Sequence, residues 1–256
     1  YRAHEAEFAK ENPIPTLEEV CDRDAAMPLV FEPGTSWNYS VATDVVGRLV
    51  EVVSGMRLGD FFQKRILGPL GMNDTSFYVD PAKQSRLAAL YAFDPSPAKK
   101  VRYGAIENQV VTPRSFDSGG GGLVSTAADY WKFLQMLENG GELNGVRIVS
   151  PTTIDLMTLN HIPGNKDISD WGRPMGEEVF YDGLGFGLGF AVVIDQAKTK
   201  VACSNGTYSW GGMASTAFWI DPVEEITAMF FTQLMPSTTH PIRPFLRSLV
   251  YQSINE

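Results

Sequence analysis

A serine nucleophile activated by a lysine one helical turn later requires Ser-x-x-Lys on a regular helix. The 256-residue chain holds that pattern once, at Ser96-Pro97-Ala98-Lys99. Pro97 breaks the helix that would bring the two side chains together, so the match reads as chance. A Ser-His-Asp site has no anchor, because His4, His161 and His240 are scattered and no Gly-x-Ser-x-Gly elbow occurs. The histidines also lack metal-ligand spacing, and Cys21 and Cys203 suit neither a zinc site nor a redox pair; both cysteines read as small buried apolar residues. Gly119 to Gly122 are not followed by the Lys-Ser/Thr of a phosphate loop, and turn geometry accounts for them better. No metal and no cofactor is implied. Tyr39-Ser40 stands at the expected start of a helix, and Trp210-Gly211-Gly212 stands just before an expected strand. Taken alone, Tyr39 is a packed residue at a helix entrance, Gly211-Gly212 a tight strand entry and Trp210 core filling.

The elements that must position these clusters follow from apolar spacing and turn residues. Val41, Val45, Leu49 and Val52 recur at helical spacing after Ser40, a candidate amino-terminal cap, and Gly55 ends that helix. A second helix is expected from about Leu58 to Ile66, broken by Gly68-Pro69, so that the two form a hairpin. From about Pro81 to Pro113 periodicity weakens and loops are expected, with room for one short hairpin. Ser118 to Gly122 can place backbone where side chains would clash, and Thr126 caps a helix carrying Tyr130, Phe133, Leu134 and Leu137 that closes at Gly140-Gly141. A short strand at Val146 to Val149, a helix from Pro151 to about Leu159 and an irregular connection from Gly164 to Asp182 follow. Phe186 through Ile194 reads as a strand, and Val201 to Ser204, Ser215 to Ile220 and Ile226 to Thr232 as three more in an antiparallel meander. A last helix, about Ile242 to Ile254, offers Phe245, Leu249 and Tyr251 or Gln252 to cover one face of the sheet. This divides the chain into a mainly helical region, 1–165, and a sheet region with a carboxy-terminal helix, 166–256, whose sheet needs further partner surface.

Phe31-Glu32-Pro33-Gly34-Thr35-Ser36-Trp37-Asn38-Tyr39-Ser40, its following helix and then Ile66-Leu67-Gly68-Pro69-Leu70-Gly71-Met72-Asn73-Asp74-Thr75 resemble the second motif region of the serine β-lactamase-like hydrolases. That group includes class C β-lactamases, family VIII carboxylesterases and penicillin-binding-protein-like enzymes. Gly121-Gly122-Leu123-Val124-Ser125-Thr126-Ala127-Ala128-Asp129, followed by Phe133-Leu134, is similar to a further signature of the group. Trp210-Gly211-Gly212 resembles the third motif as family VIII esterases carry it, where β-lactamases have Lys-Thr-Gly. The resemblance implies an α+β, β-lactamase/transpeptidase-like fold, an antiparallel sheet flanked by helices plus a mainly helical region. It implies a serine, with a lysine one turn on, that attacks an ester or amide carbonyl to form an acyl-enzyme. Tyr39 is then the proton shuttle. A phenol of pKa about 10 needs a neighbouring ammonium, and the positive end of its own helix, to serve as a base at neutral pH. By position Met213 donates its backbone N–H to the developing oxyanion, Gly211 and Gly212 let substrate approach the strand edge, and Trp210 forms an apolar wall that favours esters over carboxylate-bearing β-lactams. Two departures stand out. Val41 occupies the place where β-lactamases commonly carry Asn, and no Ser-x-x-Lys precedes Tyr39, so the serine and lysine are expected from sequence upstream of Tyr1 or from another chain.

A net charge of −9 leaves no basic face for nucleic acid. No run approaches the roughly 20 apolar residues of a membrane-spanning helix. Nothing fixes the compartment. The leading reading is a carboxylesterase acting on a small-molecule ester, with β-lactamase or D-amino-acid peptidase activity on an amide as the rival. A catalytically inactive binding or scaffold protein is the alternative from another class, and an upstream fragment completing the active site is the partner to look for.

Overall fold

Residues 15–94, 96, 99–172 and 181–254 are described in a computed structural model. His4, Pro97, Ala98 and residues 173–180 of the expected 164–182 connection lie outside them. Contacts gather the chain into two units that interleave in sequence, one from residues 15–35, 39–87 and 105–129 and one from 36–38, 88–104 and 130 onward.

The first unit is helical. Helix α1 (Leu17–Ala25) starts at a capping box in which the Thr16 hydroxyl accepts from Glu19 N–H and the Glu19 carboxylate accepts from Thr16 N–H. Helix α2 (Ala42–Ser54) ends at Gly55, in the left-handed region at φ 66°. Val41 is its cap residue, and Ser40, one place earlier, accepts from Ala42 N–H at 3.1 Å. Helix α3 (Leu58–Phe62) is shorter than the spacing predicts, because the chain continues as a π-helical turn over Gln63–Leu67 before Gly68. Helix α4 (Gly104–Val110) forms where loops were expected. The apolar stripe of α2 does not pack as its spacing suggests: Val41, Val45, Leu49 and Val52 are all exposed, and the residues buried are Asp44 and Gly47.

In the second unit the expected meander is present with five strands rather than four, β5 (Leu184–Phe186), β6 (Ala191–Val193), β7 (Tyr208–Gly211), β8 (Ala217–Asp221) and β9 (Ile226–Phe230), each antiparallel to the next. Phe186 to Ile194 is not one strand but a reversal between β5 and β6. Val201 to Ser204 is not a strand; it is a loop held by the Ser204 N–H bonds to Thr207 Oγ1 and Asp221. The period-two signal there marks burial of Cys203, not pairing. Every residue of β8 is buried, with Trp219 at its centre. Strand β1 (Tyr91–Asp94) pairs antiparallel with β2 (Lys99–Arg102) and parallel with β10 (Leu234–Met235), and the expected strand at Val146 is the short β4 (Val146–Arg147), antiparallel to β3 (Glu142–Leu143). Helix α5 (Ala127–Glu138) is capped as expected by Thr126, whose hydroxyl accepts from Asp129 N–H. Pro151 opens α6 (Pro151–Met157), and Asp167 caps the short α7 (Ile168–Trp171). After the single turn α8 (Gln196–Thr199), the last helix is α9 (Ile242–Gln252). Of the residues expected to cover the sheet, Tyr251 makes a contact, while Phe245 and Leu249 do not pack. Phe245 and Leu249 are exposed, whereas Arg243 bonds the β7–β8 turn, Arg247 lies 5.3 Å from the Trp219 ring and Tyr251 donates to Asp221. Arg243, Arg247 and Tyr251 recur every four residues, one stripe of the helix. The fold is thus α+β: one unit is mainly helical, and the other holds the antiparallel sheet with its helices.

Candidate active site

Tyr39 lies in the first unit, 44% exposed, and leads into α2 through Ser40 and Val41. That helix start is held by a loop from the glycine run. Ser118 Oγ donates to Asp44 at 2.6 Å, and Gly120 N–H reaches the same carboxylate oxygen at 3.4 Å. A methyl group on Gly119 would sit 2.0 Å from the Thr43 carbonyl oxygen, so only glycine lets the loop lie against this turn. The preceding residue, Asp117, accepts from Arg57 at 3.0 Å and from Gly59 N–H at 3.1 Å, which ties the loop to α3 as well. The glycine run therefore serves as close packing around the helix that follows Tyr39. The buried Asp44 carboxylate also sits in the first turn of α2, where it offsets the positive end of the helix.

Trp210, Gly211, Gly212 and Met213 lie in the second unit, at the end of β7 and in the turn to β8. Pairing of Trp210 with Phe218 and of Gly211 with Ala217 sets the register. Gly212 N–H donates to Thr216 O at 3.0 Å and Ser215 N–H to Gly212 O at 3.1 Å. The turn is anchored below by Ser215 Oγ on Leu234 O at 2.6 Å and Leu234 N–H on Ala214 O at 3.1 Å. Among the described residues no group accepts from Met213 N–H, and Met213 is 62% exposed. The space a side chain would need at Gly211 is taken by Arg243 and Thr216 O, and at Gly212 by Thr216 Oγ1. Trp210 packs edge-on against Phe186 at 5.6 Å, Phe186 against Trp37 at 5.3 Å and Trp37 against Tyr181 at 5.6 Å. Trp37 is itself fixed by its N–H on Trp171 O and a bridge to Gly172.

The other candidates do not form a catalytic group among the described residues. Ser96 sits in the turn after β1 and Lys99 begins β2, so the literal Ser-x-x-Lys is not on a helix. His161 bonds Leu156 O through its ring, and His240 is exposed. Cys21 and Cys203 are both free; Cys203 is buried and Cys21 half-buried, its thiol pushed up by burial and by Asp44. Among the described residues no His, Cys, Asp and Glu gather as a metal site, and no helix is long and apolar enough to cross a membrane. Sequence reasoning missed Asp44, Asp221 and Arg243. The usable signal was the polar stripe on α9, which has the same spacing as an apolar one.

Residues 1–252 match the family model described as Beta-lactamase. The chain is 38% identical over 216 residues to an uncharacterized protein of Mycobacterium tuberculosis, covering 83% of this chain and 52% of that protein. It is 31% identical over 229 residues to a lovastatin esterase of Penicillium rubens, covering 84% and 54%. Among solved structures, EstCE1, a hydrolase with promiscuous acyltransferase activity, superposes with a TM-score of 0.78 at 26% identity, covering 93% of this chain and 62% of that one. The chain thus spans about half the length of the curated relatives it matches.

Proposed function

As the chain belongs to the β-lactamase family, we propose that it forms part of a serine hydrolase that cleaves carboxylic esters through an acyl-enzyme. The attacking serine and its lysine come from sequence outside these 256 residues. The serine oxygen bonds to the substrate carbonyl carbon, the alcohol leaves, and Tyr39 carries the proton from serine to the departing oxygen. Met213 N–H donates to the oxyanion, and Trp210 supplies the apolar wall.

One observation carries this reading. Among the described residues no group accepts from the Met213 N–H, and Met213 is 62% exposed at the β7–β8 turn, so this amide is available to an oxyanion. The esterase name of the Penicillium relative supports esters as the substrate class, as does Trp210 in the place of a cationic lysine. Treating the whole protein with a fluorophosphonate and weighing it intact tests the proposal. One adduct per protein, mapped to a serine outside these residues, with p-nitrophenyl esters turned over faster than a chromogenic cephalosporin, is the expected result. An adduct on a serine within them would overturn the mechanism, and faster cephalosporin turnover would transfer the site to amide cleavage.

A further inference from the structure

The proposed oxyanion donor and the carbonyl of Gly212 belong to one peptide group. In a trans peptide the N–H and C=O point in opposite directions in one plane, so whatever fixes Gly212 O also fixes the direction of the Met213 N–H. Gly212 O accepts Arg243 Nη2 at 2.6 Å, and the same nitrogen donates to Thr216 O at 3.0 Å. The guanidinium therefore clamps both ends of the five-residue turn from its position in the first turn of α9. A cationic donor on the carbonyl also draws electron density from the amide and makes its N–H a stronger donor. Gly211 is required for the clamp, because a Cβ there would lie 2.6 Å from Arg243 Nη2.

We infer that Arg243 is a positioning residue for catalysis, one that orients and polarises the Met213 N–H toward the oxyanion. The inference deepens the proposed ester hydrolysis and rests on Met213 being the donor. It assigns one glycine of the Trp210-Gly211-Gly212 motif to making room for the guanidinium.

The test uses the whole protein with a p-nitrophenyl ester and compares wild type, Arg243→Ala, Arg243→Lys and Met213→Pro, each checked for an unchanged melting midpoint. Removing a single oxyanion donor costs about 10²–10³ in kcat, so Met213→Pro should fall in that range and Arg243→Ala by at least about tenfold, with KM within twofold. Arg243→Lys should lie between Arg243→Ala and wild type, and methylguanidine should restore part of the lost kcat in Arg243→Ala but not in Met213→Pro. The infrared carbonyl band of the trapped acyl-enzyme reports donor strength directly, and it should move to higher frequency in Arg243→Ala and less so in Arg243→Lys. If Arg243→Ala does not fold, the lysine variant and its carbonyl band decide the matter. A band and kcat unchanged in the folded Arg243 variants, while Met213→Pro loses activity, would overturn the clamp and leave the donor in place. Full activity in a folded Met213→Pro would instead overturn the donor assignment beneath it.

Discussion

The sheet of the second unit and the helices α2 and α9 solve the same packing problem in opposite ways. In the sheet, apolar residues go inside: β6 and β8 are buried along their whole lengths, and Trp219 is 2% exposed. In α2 and α9 the apolar stripes face outward among the described residues, and the sides that pack carry Asp44, Arg243, Arg247 and Tyr251. Three of them have hydrogen-bond partners, Asp44 with Ser118 and Gly120, Arg243 with two carbonyls and Tyr251 with Asp221, and Arg247 lies over the Trp219 ring. Burial drives the sheet, while hydrogen-bonding requirements orient the helices. Apolar periodicity reports which face of a helix is apolar, not which face meets its neighbours here.

Substitutions can break this contrast. The largest effect is expected in the sheet: Trp219→Ala should lower the unfolding free energy by about 3–5 kcal/mol, measured by urea unfolding followed by circular dichroism. A loss near zero would mean that β8 is not a core strand. Asp44→Ala leaves Ser118 Oγ and Gly120 N–H without their acceptor and should cost about 1–3 kcal/mol, with Asp44→Asn costing less because one acceptor oxygen remains. Equal losses for both would show that charge, rather than the hydrogen bonds, holds the loop. Asp167 sharpens the same point by pH. Burial alone would raise its pKa, but the Asp170 N–H, Ser169, Lys198 and the Gly183 N–H together hold it at about 2. Its folded value lies below the unfolded value of about 3.9, so its contribution is complete above about pH 5 and is lost as pH falls toward 2. The melting-midpoint difference between wild type and Asp167→Asn should therefore shrink over that window. The smallest effect is expected on the exposed stripe: Leu49→Gln, at a residue 58% exposed, should change stability by less than about 0.5 kcal/mol. A loss of several times that would mean the stripe is covered in the protein as studied.

These contrasts explain what the sequence made legible. The meander, the Thr126 cap, the Gly55 stop and the clash-avoiding glycine run follow from local chemistry and are present, and the α+β class implied by the motif resemblance is present too. The split of Phe186–Ile194 into two strands was hidden because glycine and large apolar residues alternate through the reversal as regularly as along a strand. Val201 to Ser204 misled for a similar reason, since one buried cysteine imitates a strand face. At the candidate site, Tyr39 and Trp210 to Met213 were marked by their neighbours in sequence. Asp44 and Arg243 act on groups 74 and 31 positions away, and no local pattern announces such partners.

The most direct test is the turnover of Tyr39→Phe in the whole protein with a p-nitrophenyl ester. Removing one hydroxyl from an exposed residue should leave the melting midpoint unchanged and lower kcat by about 10²–10⁴-fold, the contribution of a positioned proton shuttle. A kcat within twofold of wild type would contradict the assignment of Tyr39 and the mechanism built on it.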